Sequence, residues 1–444
     1  MIKKLARRTG WLARKGKALT PHVFATALLS CVSSGFYSLR EIAVEVGLLT
    51  GGSISKQALS ERFNARSVKF LKALVTTSLH EAARALPAHG LENLPGILRI
   101  LVGDSSTLRL DPSLTELFPG ATSRDGVSSA QLKLQFTFEL LTGRWLQAEL
   151  GPYSIPDQAA APDILGTVVR AGDLIIRDLG YAVLDVFEAI GKKGAYFHSR
   201  LNPSAVVMDP DGTRLDLCRL ASSCSRNPGD TCSTKVLLGV KKRYACRLVI
   251  IRVPKKVANE RRRRLKATAR RKGRKQPAKG YLALQDWVFF ITNMDTEQAD
   301  DTQLYELYRL RWRVENLFKI SKSLTHLKAI AGHRTNPYHL ETLLWAWVLL
   351  MVGMGRMGVF RLLEEPAHGA PPEAITTSIS KSLKRIYAWV APMIQLAAAG
   401  DFATLMERLR AQQNYLDRYE KRSRVSMLDR VARALKLQPA LPLT

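Results

Sequence analysis

The sequence predicts an α/β fold: a mixed sheet with helices packed on it, and helical regions at both ends of the chain. Three observations predict it. The texture changes at Gly96 from helical to strand-like, beginning with the short apolar run ILRILVGDSST that reaches Asp104. Next, AQLKLQFTFEL alternates Leu132, Leu134, Phe136 and Phe138 on one face, as a half-buried strand does, and WLQAELGPYS follows across the turn LLTGR. Then a helix-forming stretch (157–171), the apolar strand DLIIRDLGY running into Asp178, a helix (181–192) and the strand AYFHSRL alternate. Three strands in a meander, then helix, strand, helix and strand, is the order of a ribonuclease-H-like core.

Composition fits a folded, strongly basic protein. The 444 residues are 46% hydrophobic and 24% charged, with 67 Lys+Arg against 38 Asp+Glu and a formal net charge of +29. The hydrophobic share excludes a disordered chain, and the charge points to a polyanionic partner that relieves its self-repulsion. The apolar stretch from Thr342 to Gly355 reads as a buried helix too short to span a membrane. The basic N-terminus lacks the apolar core of a secretory signal, so the protein is expected to stay inside the cell. Five cysteines, an odd number, favour reduced thiols over a disulfide framework, and the spacings of Cys218, Cys224, Cys232 and Cys246 match no zinc pattern.

Five regions follow from these changes of texture. Residues 1–95 read as a helical region, either DNA-binding or a plain helical bundle. Ser38 and Glu41 have capping-box spacing and open a helix that ends at Gly47. After a loop, ISKQALSERF continues as a helix whose Ala58, Leu59, Phe63 and Val68 pack inward, giving a helix-turn-helix-like texture. The catalytic core occupies 96–202 and 286–335, the latter starting with the strand in LQDWVFFITNM. Between them, 203–285 is a β-rich insertion with two hairpin textures, one turning on Asp211-Gly212, and a basic arm. Residues 336–444 form a C-terminal helical region. The arm is dense in charge: Lys241 to Gly280 holds 18 basic residues and one acid, Glu260, for a net +17. It reads as a solvated helix or a flexible arm in contact with phosphates.

The long helix from about Asp300 to Leu327 is the most informative segment. At about 100° per residue, Tyr308, Arg311, Glu315 and Lys322 fall on one stripe about 60° wide, while Leu310, Val314, Leu317 and Leu324 form an apolar face. An amphipathic helix with a solvated face gives the same periodicity. A carboxylate flanked by an aromatic hydroxyl, a guanidinium and an ammonium can also bind metal and clamp phosphate. Arg309 and Arg313 read as solvated or phosphate-facing, and His326, His333 and His339 have no metal-ligand spacing.

These four residues match the Y-x2-R-x3-E-x6-K pattern, and on that ground the chain resembles the DDE transposases of the insertion-sequence family numbered four. Asp104 in GDSST resembles that family's first catalytic Asp, and Asp178 in RDLGY its second, with a β-rich insertion before the Glu. The resemblance covers about residues 96–340. It implies a DNA transposase of cut-and-paste type, in which Asp104, Asp178 and Glu315 hold two Mg²⁺ ions, with Mn²⁺ as a possible substitute. It also implies that Tyr308, Arg311 and Lys322 hold phosphates near the cut end, and makes Trp287, otherwise a core Trp, a candidate to stack on a displaced base. The implied partners are terminal inverted repeats and target DNA, bound by a homodimer on paired ends, in the bacterial nucleoid. Asp173 and Asp185 compete with Asp178 for the second position. A structure-selective nuclease of the same fold, or a non-catalytic basic remnant, are the alternative readings.

Overall fold

A computed structural model describes residues 1–13, 19–84, 94–123, 125–155, 165–177, 183–332 and 334–356, with Tyr387 and Val390. The side chains of residues 310, 312–314, 316 and 317 are not among those described. The chain forms two compact units. The first comprises Met1–Leu86, Ser105–Pro156 and Val314–Ser426; the second comprises Pro87–Asp104, Asp157–Arg313 and Met427–Thr444. The chain thus passes from one to the other inside a strand, after Asp104, and inside a helix, after Arg313.

The sheet of the second unit begins with β1 (Arg99–Arg109). Its residues Arg99 to Val102 pair in parallel with β5 (Asp173–Arg177), which pairs in parallel with β6 (Tyr196–Arg200). Both strands read as buried apolar runs, as parallel strands covered on two faces do. Both strands begin at a bidentate pair. Arg99 Nε and Nη2 donate to the Asp173 carboxylate at 2.8 and 2.7 Å, and the Arg170 amide donates to the same carboxylate. The strand β10 (Trp287–Thr292) then adds antiparallel to β6. Helix α6 (Leu184–Lys192) packs Phe187 on Phe197, ring centroids 4.1 Å apart.

The insertion continues this sheet. β9 (Tyr244–Arg252) pairs antiparallel with β10, β8 (Thr231–Leu238) with β9, and the two-residue β7 (Val207–Met208) with β8. The Asp211-Gly212 turn forms as expected, with Gly212 at φ 91° and Met208 bridged to Arg214. The basic arm is helical: α8 (Lys255–Arg271) buries Ala258 and Ala269. The expectation of reduced thiols is corrected at one pair. Helix α7 (Leu217–Cys224) ends in a turn where the Asp230 carboxylate accepts from the Asn227 amide at 2.7 Å; this returns the chain so that Cys224 and Cys232 are disulfide-bonded. Cys31 and Cys246 are buried thiols.

In the first unit β3 (Ser128–Glu139) pairs antiparallel with β4 (Arg144–Pro152) and with a short strand, β2 (Pro119–Thr122). β2 carries no alternating apolar pattern. It pairs with β3 at Pro119 and Thr122, with an irregularity between them that includes Gly120, where a Cβ would lie 2.4 Å from the Ser129 carbonyl. Hydrogen-bonded neighbours run β4-β3-β1-β5-β6, the ribonuclease-H-like order.

The helices of the first unit are α1 (Ile2–Arg8), α2 (Pro21–Ser34), α3 (Leu39–Thr50), α4 (Lys56–Ser60) and α5 (Ala65–Arg84). The Ser38/Glu41 capping box forms, but α3 runs on to Thr50 and stops at a left-handed Gly51 rather than at Gly47. The single helix expected after the loop is two. Asn64 interrupts it, its Oδ1 accepting from the Arg66 amide at 2.9 Å, so Leu59 and Phe63 are buried while Ala58 stays exposed. After α9 (Lys279–Ala283), α10 (Asp301–Leu324) and α11 (Leu327–Ala331), helix α12 (Pro337–Arg356) contains the apolar stretch expected to be buried. At 20 residues it is long and apolar enough to cross a membrane, contrary to expectation, yet it is mostly buried inside the protein. Its Trp347 packs in an aromatic cluster with Trp145 and Phe318, and its indole N–H donates to Thr325 Oγ1 at 2.8 Å.

Candidate active site

β1 is buried from Arg99 through Gly103 and becomes half-exposed at Asp104. The expectation of a strand ending at Asp104 is corrected: the pairing continues to Arg109, because Ser105-Ser106-Thr107-Leu108 keeps the alternation and returns Leu108 to the core. Asp104 is therefore the acid at which a buried strand first reaches the surface. Gly103 precedes it, and a Cβ there would lie 3.1 Å from Arg177 Nε, so the Arg177 side chain would have to give way. Arg177 ends β5 and is itself buried. Asp178, the next residue, lies outside the described residues.

The two acids that compete with Asp178 are committed elsewhere. Asp173 is buried in its pair with Arg99. Asp185 is exposed on α6 and ion-paired with Lys242.

Tyr308, Arg311, Glu315 and Lys322 all lie on one helix, α10 (Asp301–Leu324). The first two belong to the second unit and sit together. The Tyr308 ring packs on Phe290 at 4.8 Å and edge-on to His198 at 5.8 Å, and the Arg311 guanidinium lies 5.5 Å from the Tyr308 ring centroid. His198 anchors this corner: its Nε2 hydrogen-bonds the Leu304 carbonyl at 2.8 Å. Burial pushes the imidazole down to about 3, so it is neutral near pH 7. Arg247 locks the start of the helix through the Ala299 carbonyl, 2.7 Å, and an ion pair with Asp301. Arg309 turns from the stripe to Glu306, making two hydrogen bonds of 2.6 and 2.8 Å. The Arg313 side chain is outside the described set.

Glu315 and Lys322 belong to the first unit. Glu315 is half-buried. Lys322 Nζ donates to Ser106 Oγ at 2.6 Å and lies 4.8 Å from the Phe318 ring centroid, while Phe318 stacks on Phe136 at 4.3 Å. Sequence reasoning overlooked Ser106. The signal was there: Asp104 and Ser106 are two residues apart on one strand and so share a face. Arg177 and His198 were also overlooked, and only the pairing of β1, β5 and β6 reveals them.

Trp287 opens β10. Its ring is buried, its indole N–H donates to the Ser225 carbonyl at 3.1 Å, and the Arg252 guanidinium lies 5.2 Å from the ring centroid. Its burial and these contacts fit the reading of Trp287 as a core residue.

Oxygen donors suit a hard divalent cation; Asp104 belongs to the second unit and Glu315 to the first, and each is half-buried. Among the described residues no group of three His, Cys, Asp or Glu converges.

The strand order is that of a ribonuclease-H-like α/β protein. The chain belongs to the transposase DDE-domain family, whose domain matches residues 95–351. It is a DNA transposase, an enzyme of DNA cleavage and strand transfer; the family is in general dependent on a divalent metal. The transposase for insertion sequence element IS231D of Bacillus thuringiensis subsp. finitimus is 28% identical over 341 residues, covering 73% of this chain and 70% of the relative. The transposase for insertion sequence element IS1151 of Clostridium perfringens is 25% identical over 361 residues, covering 74% and 72%. A solved structure, a piggyBac transposase synaptic complex with hairpin DNA, is similar at TM-score 0.39 and 10% identity, over 100% of this chain and 83% of that one.

Proposed function

We propose that the chain moves an insertion sequence by a cut-and-paste route, with Asp104, Asp178 and Glu315 as its metal-holding carboxylates. The observation that carries this reading is the placement of Tyr308, Arg311, Glu315 and Lys322 on one unbroken helix, in a family whose reaction needs a carboxylate and phosphate-holding cations together. Asp104 supports it as the acid where the buried part of β1 ends.

Two divalent ions, Mg²⁺ with Mn²⁺ as substitute, held by these carboxylates, would supply an activated nucleophilic oxygen and a stabilised leaving oxygen. The residues of the chain do the rest. Arg311, steadied against the Tyr308 ring, and Lys322, steadied by Ser106, hold non-bridging phosphate oxygens and fix the scissile bond for in-line attack. Tyr308 serves the same phosphates or holds Arg311 for them. Strand transfer uses the exposed 3′-hydroxyl as nucleophile in the same geometry. A homodimer holds the two ends of the element on bacterial nucleoid DNA, and the helical region 1–95 contributes to recognition of the terminal repeats.

The test is a paired-end reaction with purified protein and Mg²⁺. The reading predicts both nicked ends and a joined strand-transfer product; nicks without joining would assign the chain to a nuclease of this fold.

A further inference from the structure

The basic arm is a docked helix, and the docking divides its charges into two classes. Arg261 donates to the Trp287 carbonyl at 3.2 Å; Arg262 donates to the Leu282 carbonyl at 3.0 Å and pairs with Asp286 at 2.7 Å. Ala258 and Ala269 are buried on the same side. At about 100° per residue these four lie within about 100° of arc. The opposite side is exposed and cationic: Lys256, Arg263 and Arg270 recur every seven residues and are joined by Lys266. The single acid on α8, Glu260, is shared by Arg263 and Arg264 at 2.7 and 2.8 Å, so it offsets only one charge of this face.

We infer that Lys256, Arg263 and Arg270 form a rigid rail for the phosphate backbone of duplex DNA. The inference rests on the reading of the chain as a DNA transposase and names a surface of the insertion that the chemistry at the carboxylates does not use. Seven residues of helix rise about 10.5 Å, so the three cations span about 21 Å. That is about six base-pair steps at 3.4 Å each. The helix has no aromatic residue between Lys255 and Arg271, so it offers no platform on which unpaired bases could stack. Long cationic side chains on a pre-ordered helix contact phosphates without reading bases. The rail supplies affinity for any duplex.

The experiment compares the full chain with a Lys256→Gln, Arg263→Gln, Arg270→Gln variant, and with Arg261→Gln as a control from the docked side. Binding is titrated against salt on a duplex carrying the element's end, an unrelated duplex and a single strand of the same length. The rail predicts that the variant's log-log salt slope is shallower by about 2.7, at about 0.9 per lost phosphate contact. Raising salt from about 50 to about 200 mM then costs the wild-type chain about 40-fold more affinity than the variant, equally on both duplexes. Arg261→Gln lowers the melting temperature and keeps the slope. An unchanged slope in the triple variant overturns the rail, as does a loss confined to the end-bearing duplex or to the single strand. Absence of metal-dependent nicking by the wild-type chain would instead overturn the transposase reading, and the slope on the unrelated duplex would still decide the rail.

Discussion

Lys322 donates from Nζ to Ser106 Oγ at 2.6 Å, tying the last turn of α10 to the strand that carries Asp104 two residues earlier. A charge-assisted hydrogen bond of this kind fixes one rotamer of a flexible side chain. Ser106→Ala is expected to cost about 1 kcal/mol of stability and to slow single-turnover cleavage about tenfold, while Ser106→Thr keeps the hydroxyl and retains most of the rate. Melting and single-turnover nicking measure the two effects separately. A Ser106→Ala chain that cleaves at the wild-type rate would show that Lys322 needs no such support.

The buried Arg99–Asp173 pair carries a stability prediction. Asp173→Asn leaves Arg99 uncompensated, at a cost of about 3–5 kcal/mol, whereas Arg99→Met with Asp173→Leu recovers most of that loss. Denaturant unfolding of the single and double variants tests it. If Asp173→Asn instead abolished cleavage in a chain of normal stability, Asp173 would replace Asp178 among the catalytic acids.

Trp287→Phe is expected to lower stability by about 1 kcal/mol through loss of the bond to the Ser225 carbonyl. Cleavage and joining should continue at the rates of the parent chain. A specific defect in handling the displaced strand would assign Trp287 the base-stacking role.

Acid should destabilise the protein through two histidines. Burial lowers His198 to about 3 and His339, with Arg334 contributing, to about 4, against 6.5 for the ordinary imidazole. The unfolded chain therefore binds more protons than the folded one between pH 6.5 and about 4, and stability falls as pH drops through that window. Each histidine contributes up to about 1.4 kcal/mol per pH unit. His339→Phe keeps the ring against Phe63 and should flatten the profile, as should His198→Gln. A melting temperature constant from pH 6.5 to 4.5 in the parent chain would contradict both assignments.

Much of the architecture was legible because the sheet announces itself through period-two and continuous apolar runs. Leu132 to Phe138 and Leu174 to Ile176 could not be anything but strand interiors once they pack. What the pattern could not give was the boundaries set by single polar groups. Gly51 extends α3, Asn64 splits α4 from α5, and the Asp230 turn brings Cys232 to Cys224. The Y-R-E-K spacing was legible as a helical stripe, but not its supports, since Ser106, His198 and Arg177 are recruited by tertiary pairing. Charge was the most misleading signal. The +17 segment reads as uniformly exposed, yet Arg247, Arg252, Arg261 and Arg262 are spent on carbonyls, carboxylates and an indole ring.

The central claim is that Asp104, Asp178 and Glu315 together hold the reaction's metal ions. It is tested most directly by Mg²⁺-dependent nicking of an end-bearing duplex, comparing the parent chain with Asp104→Asn, Asp178→Asn and Glu315→Gln at saturating DNA. All three variants should bind DNA as the parent does and fall to background cleavage. Any one of them cleaving at the parent rate would remove that residue from the set and contradict the mechanism.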